Sequence, residues 1–457
     1  MKIMYKGDSL VKTIVGTKSA EPGTVYRFSD YAVSHLFNQD RYLYNNFTKM
    51  LVCLEDSDVT VNPEVRFSSD DVAADPDLQM LVKNRFLVAE DTNETEIYEN
   101  FCRIARMLKE KKNGYQTFTI LPTTACNARC VYCYEQGIEY ITMDDATVRQ
   151  TIAFIKENRN PNAPIRLAWF GGEPLIGERF IDAVSAALRE DGSEFSARIT
   201  TNGSLITKEI VEKMRTDWNV TDIQITLDGI EEEYNRRKNY YFNYDSAYWH
   251  VLSRIKLVNE GGIRLNIRVN IDEGNIDGVP QMIEELKDFV PNRDLVHVDL
   301  APLFDLQAGE GGFAIWNKSF KLAEWIAEQG FAASRHFSTS KAKYHFCMAD
   351  SPYRAIVIAP DGKLYNCENI MALSSVGDVW NGITDTAYLD GLAVVEPARE
   401  QCKGCLFLPE CTTFSRCANP KVDCRYAAQK RMERALDRMI SLLLNQETPS
   451  DEDEDEE

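Results

Sequence analysis

Six short β-type runs, separated by helical patterns, constrain the fold of this chain more than any other feature. The runs read FTILPT, RLAWFG, ARITT, DIQITLD, LNIRVNID and LVHVDLAPL. Strand–helix alternation with apolar strands is typical of a parallel sheet that has helices outside it. Six units are too few to close an eight-stranded barrel, so the pattern predicts an α/β fold with an open, partial (β/α)6 barrel over residues 116–303.

A cysteine triplet directly follows the first of these strands, at the position where parallel α/β folds build their active sites. Cys126, Cys130 and Cys133 form a CxxxCxxC loop. Three thiolates on a short loop can each take one iron of a [4Fe–4S] cluster and leave the fourth iron open to a small molecule. A zinc knuckle is the alternative, but zinc needs a fourth His or Cys ligand, and none is close in the sequence.

The segment around the triplet, LPTTACNARCVYCYE, resembles the signature of the radical S-adenosylmethionine (SAM) superfamily. The resemblance implies that SAM chelates the open iron through its amino and carboxylate groups. One-electron reduction would then cleave SAM to methionine and a 5′-deoxyadenosyl radical. Tyr132 occupies the aromatic position of the signature, which in the family lies beside the adenine.

Three later motifs follow in the family's order, each at the end of a strand. The resemblance assigns GGEP to the SAM amino group, TNG to the ribose and TLDG to a further SAM contact. The residues concerned are Gly171, Gly172, Glu173, Pro174, Asn202, Thr226 and Asp228. Arg236 is the candidate for the SAM carboxylate, but EYNRRKNY departs from the family's His-Asp-x-x-Arg pattern, so Arg237 and Lys238 remain alternatives. Asn270 also fits the family, or is simply a polar residue at a strand end.

Seven further cysteines are concentrated near the C-terminus: Cys347, Cys367, Cys402, Cys405, Cys411, Cys417 and Cys424. The first two bracket YRAIVIAPDGKLYNC, which predicts a strand pair with an Asp-Gly turn. A zinc ribbon would explain a CxxC pair alone, but seven thiols exceed what one zinc needs.

This pattern resembles the SPASM domain of radical SAM maturases, which carries two auxiliary [4Fe–4S] clusters. The family's scheme implies a first cluster held by Cys347, Cys367 and Cys417. It implies a second held by Cys402, Cys405, Cys411 and Cys424. Five residues separate Cys411 from Cys417, where the family usually has three, so the partition between the clusters stays open. The iron left without a thiolate would be either open to substrate or closed by another kind of ligand.

The other segments predict a chain of several domains. Residues 1–115 contain the strand-like runs RYLYNNF and KMLVCLE followed by helix and wing patterns, which predicts a winged-helix-like α+β module. Its last helix is predicted to bury one face, formed by Ile97, Phe101, Ile104, Ala105 and Leu108. A linker or bridging region is expected over 304–346, and the SPASM domain with a C-terminal helix over 347–445. The acidic end, 446–457, is predicted to be a disordered, solvated tail.

Charge and cysteine usage exclude several classes of protein. The formal net charge of −20 disfavours nucleic acid as a partner, because its phosphates would be repelled. No apolar run approaches the roughly 20 residues of a membrane helix, and no apolar signal segment begins the chain, so we expect a cytoplasmic protein without a membrane partner. In that reducing compartment the twelve cysteines indicate metal chemistry, apart from the isolated Cys53 and Cys102, which are predicted to be buried apolar side chains.

The resemblance to SPASM-domain maturases implies a peptide-modifying oxidoreductase. It would abstract hydrogen from a ribosomally made precursor peptide and install an oxidative thioether or carbon–carbon cross-link. The N-terminal module would bind the peptide's leader by strand addition, and a reductant such as flavodoxin or ferredoxin would supply the electron. Alternatives are formylglycine formation by a sulfatase-type maturase, a small-molecule dehydrogenase, or a non-catalytic iron–sulfur carrier. No general base stands out, although Asp228 and Glu310 are carboxylates in plausible loops.

Overall fold

The computed structural model describes residues 1–54, 62–109, 113–242, 244–303, 310–333, 338–344, 348, 351–371, 373–398, 400–410 and 425–445. Its strands are β1 (Lys2–Lys6), β2 (Val25–Phe28), β3 (Ala32–Phe37), β4 (Asp40–Asn45), β5 (Met50–Cys53), β6 (Arg66–Ser68), β7 (Leu87–Ala89), β8 (Thr117–Ile120), β9 (Ile165–Trp169), β10 (Phe195–Thr201), β11 (Val220–Thr226), β12 (Arg264–Ile271), β13 (Val296–Pro302), β14 (Ala332–Ala333), β15 (Ala355–Ile358), β16 (Lys363–Tyr365), β17 (Gly377–Asp378) and β18 (Gly382–Ile383).

Its helices are α1 (Ser9–Val15), α2 (Ser69–Ala74), α3 (Pro76–Lys83), α4 (Glu94–Lys109), α5 (Asp145–Asn158), α6 (Glu178–Glu190), α7 (Lys208–Thr216), α8 (Glu231–Lys238), α9 (Ala247–Glu260), α10 (Val279–Lys287), α11 (Glu310–Glu328), α12 (Thr386–Ala393) and α13 (Arg425–Leu444). None of these described helices combines the length and apolarity needed to cross a membrane. The chain divides into two compact units. The first comprises Met1–Lys109, Arg335–Cys347 and Val394–Glu457, and the second comprises Glu110–Ser334 and Met348–Ala393.

The second unit is built on one large sheet. Its strand order is β14-β13-β12-β11-β10-β9-β8-β15-β16-β17-β18. The six predicted strands are present as β8 to β13, and each runs parallel to its neighbour, with α5, α6, α7, α9 and α10 as the predicted helices between them. The outer edge of β8 pairs with β15, and the outer edge of β13 pairs with β14. Strands β8 and β13 therefore do not pair with each other, and the six strands do not close into a barrel. The sequence-based prediction of an α/β fold with a parallel sheet is confirmed.

Alternation along these strands separates an apolar face from a polar one. Side chains such as Ile199, Ile225 and Ile267 are buried in the core shared with the helices. The opposite face is polar; for example, Gln224 lies between Thr200 and Asn266 across three neighbouring strands. The polar face leads to the C-terminal edge of the sheet, where the loops that carry the motifs begin.

Residues 348–393 extend this sheet beyond β8. Strand β15 pairs in parallel with β8, and β16 returns antiparallel to β15 through the predicted Asp361-Gly362 turn, in which Gly362 has a φ of +78°. The strand pair expected between Cys347 and Cys367 is therefore present. Because β15 joins the second unit and α13 joins the first, the interval 347–445 that was expected to form one domain is divided between the two units.

The first unit contains two antiparallel sheets, with strand orders β1-β5-β4-β3 and β6-β2-β7. The predicted runs RYLYNNF and KMLVCLE correspond to β4 and β5. Helix α13 packs against β3, and His35 Nε2 on that strand lies 2.7 Å from Asp437 Oδ1 on the helix. One apolar cluster of this unit combines Val11 and Phe101 with Tyr344 and Leu408. Segments from both ends of the chain therefore share its core.

Helix α4 buries a face that differs in part from the predicted one. Phe101 and Ala105 are buried as expected, whereas Ile104 and Leu108 are exposed. Tyr98 is buried instead, because its ring packs edge-to-face on Phe47 at 5.3 Å between centroids. Two isolated thiols, at Cys53 and Cys102, are buried as predicted; burial raises the pKa of Cys102 to about 12, so it stays a neutral thiol.

Candidate active site

The cysteine loop, residues 121–144, connects β8 to α5. Cys126, Cys130 and Cys133 are half-buried within it, and the amide of Cys133 donates to the carbonyl oxygen of Cys130 at 3.1 Å. Burial raises the pKa of Cys126 to about 11, and the charges of Glu173 and of the other two thiols act in the same direction. The three thiols are therefore carried, half-buried, on one loop at the C-terminal end of β8.

Two glycines allow the end of β9 to approach the backbone of the cysteine loop. Gly171 has a φ of +114°, and a Cβ on it would lie 2.4 Å from the carbonyl oxygen of Thr123. A Cβ on Gly172 would lie 2.4 Å from the carbonyl oxygen of Ala125. The amide of Glu173 donates to that same oxygen at 2.9 Å. The cysteine loop thus packs directly against the backbone of the GGEP segment, and the space between them is too small for a side chain at Gly171 or Gly172.

Replacing Gly172 by Ala is expected to weaken SAM binding by about 5-fold to about 150-fold, from an overpacking cost of about 1–3 kcal/mol. The new methyl group would displace the backbone of Ala125, and with it Cys126. The measurement is a SAM-binding titration of the reconstituted protein. Gly278→Ala is the matched control, because Gly278 has a φ of −81° and its Cβ would meet only Ile230, at an ordinary 3.5 Å. Equal affinities in the two variants would contradict the prediction.

Glu173 is completely buried, and both of its carboxylate oxygens accept hydrogen bonds. Oε1 accepts from Thr201 Oγ1 at 2.6 Å and from the amide of Leu175 at 3.2 Å, and Oε2 accepts from the amide of Asn202 at 2.8 Å. Burial raises the pKa of this carboxyl group, and the hydrogen bonds oppose the shift. Glu173 therefore joins the end of β9 to the TNG segment after β10. Pro174, also buried, begins a 3-10 turn over 174–177.

The TNG segment is also tied directly to the cysteine loop. Asn202 Nδ2 donates to Asn127 Oδ1 at 2.7 Å and lies 3.9 Å from Cys126 Sγ. Asn127 Nδ2 donates in turn to Ser204 Oγ at 2.8 Å. Asn127 was not predicted to be a site residue, because the sequence around a polar residue in a cysteine motif does not indicate which side chains it hydrogen-bonds. It orients Asn202 towards the first thiol of the triplet.

A buried ion pair lies next to the middle of the cysteine loop. Lys238 Nζ is 3.3 Å from Asp228 Oδ2, and it donates to the Tyr132 hydroxyl at 2.9 Å. The Tyr132 hydroxyl donates to Asp228 Oδ2, and Asp228 Oδ1 accepts from the amide of Asn270 at 2.9 Å. The TLDG motif and the aromatic residue of the cysteine motif are therefore in direct contact, and Lys238 contacts both of them.

The three cations at the end of α8 have different surroundings. Arg236 is 60% exposed and pairs with Glu233, whereas Arg237 is buried and pairs with Glu233 and Asp272. Lys238 contacts Asp228. The structure therefore places Lys238, and not Arg236, beside the other residues assigned to SAM. The sequence alone leaves this choice open, because three adjacent cations give no indication of which one faces inwards.

The remaining strand-end residues lie at the same edge of the sheet. Thr226 ends β11 and is opposite Arg268 on β12. Arg268 Nε donates to Asn270 Oδ1 at 3.1 Å, and Asn270 is fixed by its amide to Asp228. Thr226 and Asn270 therefore belong to the same end of the polar face as Asp228.

Two acidic side chains near the loop were not recognised from the sequence. Burial raises the pKa of Glu135 to about 7, and its Oε1 has no hydrogen-bond partner within the described residues. Burial also raises the pKa of Glu368, while Arg198, whose Nη2 is 3.8 Å from Glu368 Oε1, opposes the shift. The burial of Glu135, which no sequence pattern indicated, distinguishes it from surface acids, whereas Glu368 is only partly buried. The side chain of Glu310 lies outside the described part of the chain.

The C-terminal cysteines are only partly within the described residues. Cys367 follows β16 in the second unit, and its Sγ accepts from the amide of Asn369 at 3.4 Å. Cys402 and Cys405 share one turn of the first unit, in which the amide of Cys405 donates to the carbonyl oxygen of Cys402 at 3.2 Å. Four predicted ligands, and the acidic tail 446–457, lie outside the described residues: Cys347, Cys411, Cys417 and Cys424.

Within the described part of the chain, no three His, Cys, Asp or Glu side chains converge as the ligand set of one metal ion. The cysteine loop offers a different donor set, in which three soft thiols on one loop can each take a separate iron. The amide of Asn202 lies beside Cys126, and the backbone of Gly172 lies close against that of Ala125 in the same loop. In donor chemistry the loop fits a [4Fe–4S] cluster.

Residues 120–286 match the model of the radical SAM superfamily, so the chain contains a radical SAM domain. The Fe-coproporphyrin III synthase of Methanosarcina barkeri is 27% identical over 166 residues, which are 36% of this chain and 39% of that protein. The chain therefore spans less than half the length of that curated relative.

Two solved structures share the fold. One is anSMEcpe with bound AdoMet and Cp18Cys peptide, with a TM-score of 0.55, 17% identity and coverage of 72% of this chain and 99% of that one. The other is Streptococcus suis SuiB bound to precursor peptide SuiA, with a TM-score of 0.50, 14% identity and coverage of 85% and 94%. At these identities the likeness establishes the fold alone.

Proposed function

We propose that this chain, which contains a radical SAM domain, uses SAM and a [4Fe–4S] cluster at Cys126, Cys130 and Cys133 to install an oxidative thioether or carbon–carbon cross-link in a ribosomally made precursor peptide. One observation carries the proposal: motifs from three different strand ends converge on the cysteine loop. GGEP supports its backbone, TNG binds it through Asn127, and TLDG reaches Tyr132. A protein that only carried electrons would not need these contacts.

Each residue of the site has a proposed task towards SAM. When bound, the cluster would supply the electron that cleaves SAM and so generates the hydrogen-abstracting radical. The backbone at Gly171 and Gly172 would receive the amino group, and Tyr132 the adenine. Asn202 would lie beside the ribose, and the Thr226 hydroxyl would make a further contact with SAM. Lys238, the enclosed cation next to Asp228, would hold the carboxylate in place of the exposed Arg236.

Two observations support a peptide as substrate. Both anSMEcpe and SuiB have been solved with peptides bound. The match to SuiB covers 85% of this chain, so it extends into residues 1–109, where the two antiparallel sheets provide strand edges for a peptide. The first unit would bind the leader, and the sheet edge of the second would receive the residues to be modified. A flavodoxin or ferredoxin would provide the reducing electron.

Auxiliary clusters complete the proposal. Cys347, Cys367 and Cys417 would hold one, and four further thiols would hold the other: Cys402, Cys405, Cys411 and Cys424. Cys402 and Cys405 lie in one turn, so they could provide two of the four thiolate ligands of the second cluster. These clusters would take up the electron that an oxidative cross-link releases.

The test is anaerobic co-expression of the chain with the short peptide encoded beside its gene, followed by measurement of the peptide's mass. Cross-linking is expected to remove about 2 Da per site, because two hydrogen atoms leave and nothing else is lost. In tandem mass spectrometry, no fragment ions should arise from backbone cleavage between the two linked residues, because the cross-link keeps the pieces together. The control is co-expression with the Cys126→Ala, Cys130→Ala, Cys133→Ala variant, which should leave the peptide unchanged.

The same experiment separates the alternatives. Formylglycine made from Cys would remove about 18 Da, and formylglycine made from Ser would remove about 2 Da but react with a hydrazide probe for aldehydes. Either result would replace cross-linking by formylglycine formation. An unchanged peptide with continued SAM cleavage would contradict the peptide assignment and favour a small-molecule dehydrogenase. Intact clusters without SAM cleavage would favour an electron carrier.

A further inference from the structure

The last turn of α8 holds the cysteine loop by its backbone. The amide of Arg129 donates to the carbonyl oxygen of Lys238 at 3.0 Å, and the amide of Val131 donates to that of Arg237 at 3.0 Å. These two hydrogen bonds lie on either side of Cys130 in the sequence. The position of the Cys130 thiol therefore depends directly on the end of α8.

The side chain of Lys238 is enclosed at the same place, with only 3% of it exposed. Its Nζ binds the Tyr132 hydroxyl and Asp228, and it lies 5.5 Å from the centre of the Tyr132 ring and 5.9 Å from that of Tyr234. Tyr132 stands between the second and third thiols of the triplet. Lys238 thus fixes the loop through a side chain as well as through its own carbonyl oxygen.

Lys238 keeps its charge in this enclosed position. Burial alone would lower its pKa, but Asp228, 3.3 Å away, and the neighbouring tyrosines outweigh that effect and raise the pKa of Lys238 well above its usual value. The side chain is therefore a permanent cation in a site with little water to screen it.

We propose that the enclosed cation of Lys238 raises the reduction potential of the cluster held by Cys126, Cys130 and Cys133. Reduction adds one negative charge to the cluster, and a nearby cation in a poorly screened site stabilises that charge. The negative charge of Asp228 partly cancels the effect of the Lys238 cation. Removing one or the other charge is therefore expected to shift the reduction potential of the cluster in opposite directions. The inference rests on the proposed function, since it requires that the cluster is present.

The experiment is a mediated redox titration of the full-length, anaerobically reconstituted protein without SAM, followed by electron paramagnetic resonance. Subtracting the signal of the triple Cys→Ala variant isolates this cluster from the others. At the wild-type midpoint, Lys238→Met is expected to lower the ratio of reduced to oxidised cluster about tenfold, which corresponds to about 59 mV for one electron. Lys238→Arg should retain the wild-type potential, and Asp228→Asn should raise it.

Opposite shifts in Lys238→Met and Asp228→Asn would support an effect of charge, because a purely structural role would not reverse its sign. Equal potentials in the wild type, Lys238→Met and Lys238→Arg would overturn the inference. If Lys238→Met binds no iron, Lys238→Gln, which keeps a hydrogen-bond donor for Tyr132, takes its place with the same expected shift. A wild-type chain without iron at the triplet would instead contradict the proposed function.

Discussion

Replacing Asp228 by Asn is expected to lower the free energy of unfolding by about 3–5 kcal/mol, the usual cost of removing one member of a buried ion pair. Asp228 is fully buried, and Lys238, 3.3 Å away, would keep its charge without the carboxylate that compensates it. The amide of Asn270 would also face a weaker acceptor. Urea unfolding monitored by circular dichroism would measure the change as a lower midpoint.

Two controls separate the ion pair from a general effect of losing an acidic residue. Asp217→Asn removes the partner of Arg189 in a pair that is exposed on both sides, and it should leave the midpoint nearly unchanged. Asp228→Asn combined with Lys238→Met removes both charges and should regain part of the stability that Asp228→Asn loses. A double variant no more stable than Asp228→Asn would show that the charge of Lys238 is not the cause.

Substitution of Cys126, Cys130 and Cys133 by Ala is expected to abolish SAM cleavage, because the loop then offers no thiolate to any iron. Iron bound after anaerobic reconstitution should fall from about 12 atoms per chain to about 8, as one of three four-iron clusters is lost. The measurements are release of 5′-deoxyadenosine in the presence of dithionite and iron analysis of the purified protein.

Cys102→Ala is the matched control for this variant. Cys102 is buried in an apolar cluster, and its raised pKa keeps it a neutral thiol, so its loss should change neither iron content nor SAM cleavage. About 4 iron atoms in the wild type, together with zinc, would contradict the two auxiliary clusters while leaving the first in place. SAM cleavage by the triple variant would contradict the assignment of the triplet itself.

Local patterns in the sequence were enough to predict the sheet of the second unit and the order of its motifs. Each strand from β8 to β13 is short, apolar on alternate residues and followed by an amphipathic helix, and this signal does not depend on distant contacts. The same applies to the Asp361-Gly362 turn, whose residues favour a left-handed backbone. Motifs that follow parallel strands meet at one edge, so their proximity was also predictable.

Properties that depend on distant packing were not predictable in this way. Lys238 was one of three adjacent cations, and its position could be chosen only once Asp228 and Tyr132 were seen around it. The buried carboxyl of Glu135 gave no signal for the same reason. The buried face of α4 was also partly missed, because Tyr98 packs against Phe47, whose position the helix pattern does not specify. Roles of the residues towards SAM and the auxiliary clusters stay predictions.

The composition of the first unit has a consequence for the order in which the protein matures on the ribosome. Its core joins Val11 and Phe101 to Tyr344 and Leu408, and its strand β3 receives α13 from the far end of the chain. Residues 1–109 are therefore synthesised first, but their core cannot be completed until almost the whole polypeptide has emerged from the ribosome. Until then, aromatic side chains of this segment stay exposed to solvent. The parallel sheet of the second unit, from β8 to β13, is continuous in sequence and can fold earlier. An excised N-terminal fragment would lack part of its own interior, so leader-binding measurements require the complete chain.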